Sequence, residues 1–68
     1  MTIKLNNRSE TINNCDEISV EALLKLKNFT FPMIILKING VLIKKEVYSQ
    51  SIIKDGDNVT ALHLISGG

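Results

Sequence analysis

The stretch SVEALLKLKN, residues 19–28, decides the fold, because it is the clearest helical pattern in the chain. Ser19 is placed to cap the first turn by accepting a hydrogen bond from a free backbone amide. The apolar residues recur at helical spacing and would form one face: Val20, Leu23 and Leu24, widened by Leu26. A helix of roughly two turns is unstable on its own. It must therefore pack on a sheet, which the rest of the sequence has to supply.

Strand patterns lie on both sides of this helix. Residues 1–6 alternate between apolar and polar side chains, and residues 9–13 form a weaker strand after a short polar link, which predicts a hairpin. The run MIILKIN, residues 33–39, predicts a strand that is buried on both faces for part of its length. The following Asn39-Gly40 pair predicts a tight reversal into a strand over residues 41–43.

The last third of the chain contains a loop, a turn and one strand. Residues 45–51, KEVYSQS, have no strand period and predict a loop with a helical turn. The run KDGD, residues 54–57, predicts a tight turn, and NVTALHLI, residues 58–65, is the last strand. The order β, β, α, β, β, β predicts an α+β fold in which one helix covers a face of a mixed sheet of four to five strands. That is the architecture of a ubiquitin-like β-grasp, although periodicity alone would allow other α+β sheets.

Composition predicts one domain and excludes several classes of function. Eight basic and seven acidic residues, without a basic block, give no support to binding nucleic acid or membranes by bulk charge. One cysteine among 68 residues allows no intramolecular disulfide and no Cys/His zinc cluster, and it suits a reducing compartment. No apolar run is long enough to span a bilayer. We therefore expect a small cytoplasmic protein with residues 1–65 as its domain and residues 66–68 as a flexible tail.

The run KINGVLIKKEVYSQSIIKDGDNVTALHLISGG, residues 37–68, resembles the C-terminal half of the ThiS family, the sulfur carriers of thiamine biosynthesis. Members share a strand ending in Ile-Asn, an aromatic residue in a loop, Asp-Gly-Asp, a last apolar strand and a terminal Gly-Gly. The residues that match this pattern are Asn39, Tyr48, Asp55, Gly56, Asp57, Gly67 and Gly68. The helix also resembles the single helix of the family, so the resemblance covers essentially the whole chain.

The resemblance implies that the C-terminus carries the function. In this family a ThiF-like enzyme uses ATP to adenylate the last glycine, a persulfide donor converts the adenylate to a thiocarboxylate, and the sulfur goes to thiazole synthase, a ThiG-like enzyme. Gly68 would then provide the reactive carboxylate at the end of a tail formed by Ser66, Gly67 and Gly68. The protein would be a co-substrate with no active site, cofactor or metal of its own.

The last strand can be placed in two phases. In one phase its outward face carries three residues that would form a docking surface for the partner enzymes beside the tail: Thr60, Leu62 and Leu64. In the other phase Leu62 and Leu64 belong to the core and His63 points outward, which alternation permits equally well. The resemblance favours the first phase, because these carriers present an apolar residue at the position of Leu62 to their enzymes.

Two other functions fit the same pattern. A MoaD-like sulfur carrier for molybdopterin synthesis has the same fold and terminal Gly-Gly but is usually longer, so the length favours the thiamine carrier. A ubiquitin-like binding module with an inert tail belongs to a different class. An enzyme in its own right is the weakest interpretation, since the chain has no nucleophile, base or metal constellation. His63 and Cys15 fit a surface histidine and an incidental small residue.

Overall fold

The computed structural model describes residues 1–13, 15–29 and 34–63. Within them, the elements in chain order are β1 (Thr2–Leu5), β2 (Arg8–Thr11), β3 (Glu17–Ser19), α1 (Val20–Leu26), β4 (Ile34–Ile38), β5 (Val41–Ile43), a 3-10 turn (Lys45–Val47), β6 (Ile52–Lys54) and β7 (Asn58–His63). None of the helices in these residues has the length and apolar character needed to cross a membrane. The predicted domain end at residue 65 and the predicted tail lie outside the described residues.

The main sheet has five strands in the order β2-β1-β7-β4-β5. The pair β1 and β7 is parallel, and the other three pairs are antiparallel. A second sheet pairs β3 with β6, two strands of three residues each. The predicted α+β fold with a mixed sheet and one helix is confirmed. The sequence interpretation missed β3 and β6, because three residues are too few to show a strand period. The strand β5 is as short, but the Asn39-Gly40 turn before it predicted it.

Both predicted hairpins are present, and positive backbone φ angles explain their turns. Asn6 and Asn7 join β1 to β2 at φ 52° and 68°, and Asn39 and Gly40 join β4 to β5 at φ 51° and 83°. A two-residue hairpin turn of this kind needs positive φ at both positions, which asparagine and glycine adopt more readily than other residues. The β2 strand ends at Thr11, one residue before the buried Ile12 that had been predicted within it.

The helix begins at its predicted cap and is anchored to the loop before β6. The Oγ of Ser19 accepts a hydrogen bond of 3.1 Å from the amide of Ala22. The amides of Val20 and Glu21 donate to backbone carbonyls within residues 48–51. Three amides that an isolated helix would leave free are thus satisfied, two of them by a distant segment.

The core lies between the helix and one face of the main sheet. Its buried hydrophobic residues are Ile3, Leu5, Ile12, Val20, Leu23, Leu36, Tyr48, Ile53, Val59 and Ala61. On the helix, Val20 and Leu23 are fully buried and Leu24 is half-buried, as predicted. The prediction that Leu26 widens this face is wrong, because Leu26 is 59% exposed. At 100° per residue, Leu26 lies about 110° from the centre of the face that the other three residues form.

Candidate functional site

The described part of β7 is in the phase that turns Leu62 outward. Val59 and Ala61 are buried in the core, Thr60 is half-buried, and Leu62 is 51% exposed. Because side chains alternate along a strand, Thr60 and Leu62 share the face opposite the helix. Leu64 and residues 66–68, the other members of the predicted site, lie outside the described residues.

Two further apolar residues share this face with Leu62. In the register of β4 and β7, Ile35 lies opposite Leu62, and Lys37 lies opposite Thr60. In the register of β4 and β5, Lys37 also lies opposite Leu42, which is 56% exposed. Directly opposed side chains have Cβ atoms about 4.5–5.5 Å apart, and diagonal neighbours are within reach of long side chains. We call the surface formed by Ile35, Lys37, Leu42, Thr60 and Leu62 the open face.

Sequence reasoning missed Ile35 and Leu42 as members of this surface. The run of apolar residues from 33 to 36 hid the alternation that points Ile35 away from the core. Leu42 had a usable signal, since the two-residue turn at Asn39-Gly40 fixes the hairpin register and so places Leu42 beside Lys37.

Two lysines place positive charge on this side of the sheet. Lys4 on β1 is exposed and shares this side of the sheet, as Lys37 does. Among the described strand residues, the positions on this side of the sheet carry no carboxylate. A partner surface that combines apolar residues with acidic groups would therefore complement the apolar character and the charge of the open face.

The Asp-Gly-Asp turn has a structural role at the opposite end of the sheet. Asp55 Oδ1 accepts a hydrogen bond of 2.7 Å from the amide of Thr2, which fixes the start of β1. Asp57 Oδ2 accepts one of 2.9 Å from the amide of Lys54, which closes the turn itself. Gly56 between them has φ 86°, a conformation that side chains disfavour.

Asn39 connects the two turns that meet at this end. Its Nδ2 donates to Asp57 Oδ1 at 3.1 Å, and its Oδ1 accepts from the amide of Asn58 at 2.9 Å. Asn58 begins β7, and Leu62 lies four residues further on, about 13 Å at 3.3 Å per residue. The motif residues Asn39, Asp55 and Asp57 therefore hold the fold together and lie away from the end of β7 from which the terminus departs.

Three other side chains that carry reactive groups, Tyr48, Cys15 and His63, do not belong to the open face. Tyr48 is buried, and burial, followed by the nearby charge of Glu46, raises the pKa of its phenol above the ordinary value of 10.0. Cys15 is half-buried and His63 is exposed at the end of β7. Within the three described ranges, no group of three or more His, Cys, Asp or Glu side chains is arranged to hold a metal ion.

A cleft of about 420 Å³ lies on the helix side of the sheet, away from the open face. It is lined by Leu5, Asn6, Arg8, Glu10, Lys27 and Phe29. Lys27 Nζ and Glu10 Oε2 form an ion pair of 2.7 Å there, so these two charges largely satisfy each other. The cleft is therefore a weaker candidate site than the open face.

Two solved structures are similar to this chain over its whole length. The crystal structure of the thiamine biosynthesis protein ThiS from Geobacter metallireducens is 25% identical, covers 100% of both chains and superimposes with a TM-score of 0.90. An NMR solution structure of a thiamine biosynthesis protein from the same organism is 24% identical, with a TM-score of 0.76 over 100% of this chain and 88% of the other.

The comparison with families agrees with these structures. No curated protein matches the chain significantly. The model of the ThiS family, however, matches residues 2–68. Because that match includes nearly every residue and the fold is the same, the chain belongs to the ThiS family, the sulfur carriers of thiamine biosynthesis.

Proposed function

We propose that this protein carries sulfur as a thiocarboxylate on Gly68 and delivers it for thiazole formation. The carboxylate of Gly68 is an anion at neutral pH and therefore a poor electrophile, so a partner must activate it. A ThiF-like enzyme transfers AMP from ATP to this carboxylate and releases pyrophosphate. The carrier acts as a co-substrate, and ATP is bound by the partner.

The adenylate supplies the leaving group that the carboxylate lacks. The terminal sulfur of a persulfide attacks the acyl carbon of Gly68, and AMP departs with the C–O bond electrons. A thiol then cleaves the S–S bond of the resulting acyl disulfide, which leaves the thiocarboxylate and a new disulfide. The thiocarboxylate sulfur is finally transferred to the thiazole precursor on a ThiG-like synthase.

Family membership is the observation that carries this proposal. The family match extends to residue 68 and so includes the terminal Gly-Gly. Two consecutive glycines have no Cβ, so they can thread a narrow channel and adopt backbone conformations that other residues avoid. Ser66 to Gly68 can reach at most about 10 Å at 3.3–3.6 Å per residue, so the partner must hold the domain close to its nucleotide.

The open face supports the proposal by offering a surface for such close docking. Leu62 lies six residues before Gly68, on the strand that leads to the terminus. Leu42, Ile35 and Leu62 form an exposed or half-buried apolar row that no part of the described chain covers. In this proposal the open face binds the partner enzymes while the terminus enters the active site.

The test is sulfur loading measured by the mass of the intact protein. Wild type is incubated with the adenylating enzyme, ATP and a persulfide donor, and should gain the mass of one sulfur in place of one oxygen. A variant with one residue appended after Gly68 should not gain it, because the carboxylate is displaced from the reacting geometry. Gly67→Val should also fail, because its branched side chain widens the tail.

Ser66→Ala is the matched control, since it keeps the length of the tail and adds no bulk. It should load as wild type does. Equal loading of the extended variant would contradict the proposal, because the terminal carboxylate of Gly68 would then not be the acceptor.

A further inference from the structure

The side chain of Asn6 bonds to β7 beyond the point where the backbone of β1 ends. The backbone amide of Asn6 donates a hydrogen bond of 2.9 Å to the carbonyl of Val59, as the backbone of the next residue would if β1 continued. The chain then turns away at φ 52° into the hairpin with β2. The side-chain amide nevertheless reaches β7: Oδ1 accepts from the amide of Ala61 at 2.8 Å, and Nδ2 donates to the carbonyl of Ala61 at 3.1 Å.

These two side-chain hydrogen bonds lie just beyond the last backbone pair between β1 and β7. The backbone register between the two strands pairs Lys4 with Asn58 and Leu5 with Val59, and then ends. On its other edge, β7 stays paired with β4 as far as His63. Without the side chain of Asn6, both backbone groups of Ala61 would lose their partners in a partly buried place, which favours local opening of the strand end.

The position of Ala61 connects this bond pair to the proposed function. Ala61 directly precedes Leu62, and both lie on the strand that leads to Gly68. A partner that docks on Leu62 and receives Gly68 engages two points only six residues apart. If the end of β7 is already ordered, the partner does not have to order it on binding. Each backbone residue ordered on binding weakens affinity by about 5- to 30-fold.

We propose that Asn6 is a positioning residue for the carrier: its side-chain amide holds the end of β7 in the sheet, so that Leu62 is presented to the partner in a fixed orientation. The proposal rests on the proposed function for its effect on loading. The side chain of Asn6 is hydrogen-bonded to the backbone of Ala61, and it acts through that residue.

Glycine substitutions in the same turn provide a matched pair of variants. Asn6→Gly keeps the positive φ that the turn needs and removes both side-chain bonds to Ala61. Asn7→Gly changes the neighbouring residue, at φ 68°, whose side chain makes no hydrogen bond within the described residues. Both variants add one glycine to the turn, so they differ in the bonds to Ala61. Asn6→Asp is a second test, because it tolerates positive φ and keeps only the acceptor.

The first measurement follows the strand end in the free protein. Amide hydrogen exchange of Ala61 and backbone relaxation of Leu62 and His63 are recorded at a temperature at which each variant is fully folded. Ala61 should exchange at least about tenfold faster in Asn6→Gly than in wild type, and Asn7→Gly should resemble wild type. Unchanged exchange in Asn6→Gly would overturn the inference whether or not the protein is loaded with sulfur.

The second measurement is the kinetics of loading by the adenylating enzyme. The KM for Asn6→Gly should rise about 5- to 30-fold while kcat changes little, because the strand end is ordered again in the complex. Asn6→Asp should shift KM in the same direction, and Asn7→Gly should not. A purely structural role would lower the melting temperature and leave KM unchanged below it, and that result overturns the inference. Failure of wild type to load would instead refute the proposed function, and the exchange of Ala61 would still decide the role of Asn6.

Discussion

Replacing Leu62 with alanine should weaken binding to the adenylating enzyme without unfolding the carrier. Leu62 is 51% exposed in the free protein, so about half of its side chain remains to be buried when a partner docks. Full burial of a leucine contributes about 1.5–3 kcal/mol, and half of this is about 0.8–1.5 kcal/mol. The dissociation constant should therefore rise about 4- to 13-fold. Leu62→Asp should have a larger effect, because docking would then remove a charge from water.

The effect on stability should be small, because the substitution leaves the core intact. The contact at risk in the folded protein is the cross-strand pair with Ile35, which contributes about 0.2–1 kcal/mol. Titration calorimetry with the purified enzyme gives the dissociation constant, and thermal unfolding of the same samples gives the stability. Leu42→Ala should weaken binding to a similar degree, since Leu42 is 56% exposed on the same face.

Leu26→Ala is the matched control for this experiment. Leu26 is 59% exposed, but it lies on the helix, on the other side of the sheet from the open face. Its replacement should leave the dissociation constant unchanged. Equal binding by Leu62→Ala and wild type would refute the docking role of the open face, and loss of folding in Leu62→Ala would show that its side chain supports the core.

Three further predictions concern stability. Leu23→Ala should lower the free energy of unfolding, measured in urea, by about 2–5 kcal/mol because Leu23 is fully buried. Leu24→Ala should lower it less because Leu24 is half-buried. Equal losses would contradict this assignment of the helix face. Burial raises the pKa of Tyr48 above 10.0, so the stability this provides is complete below that pH and is lost as the pH rises through the folded-state pKa. When the pH is raised from below that value to above the folded-state pKa, the melting temperature should therefore fall more for wild type than for Tyr48→Phe. If the two melting temperatures fall by the same amount, the phenol does not contribute. Gly56→Ala should cost about 1–2 kcal/mol through backbone strain at φ 86° alone, since no heavy atom outside residues 55–57 lies within 4 Å of the added Cβ. An unchanged melting temperature would exclude that strain.

Local signals in the sequence determined the helix, the five strands of the main sheet and the two hairpin turns. The Ser19 cap, the spacing of Val20 and Leu23, and the Asn39-Gly40 turn each depend on residues close together in the chain, so their patterns predicted them correctly. The terminal Gly-Gly and the Asp-Gly-Asp turn likewise indicated the family from the sequence alone. The error at Leu26 arose from its angular position on the helix, since it lies about 110° from the centre of the buried face.

Contacts between distant residues decided the rest. Alternation along residues 58–63 is compatible with either face, and only packing against the helix and β4 turned Val59 into the core and Leu62 outward. The parallel pairing of β1 with β7 and the bonds from Asn6 to Ala61 join residues about 55 positions apart. The alternation of residues along a strand predicts that the strand has two different faces. It does not predict which strand will be its partner or which face will be buried, because both depend on which distant surfaces can be removed from water together.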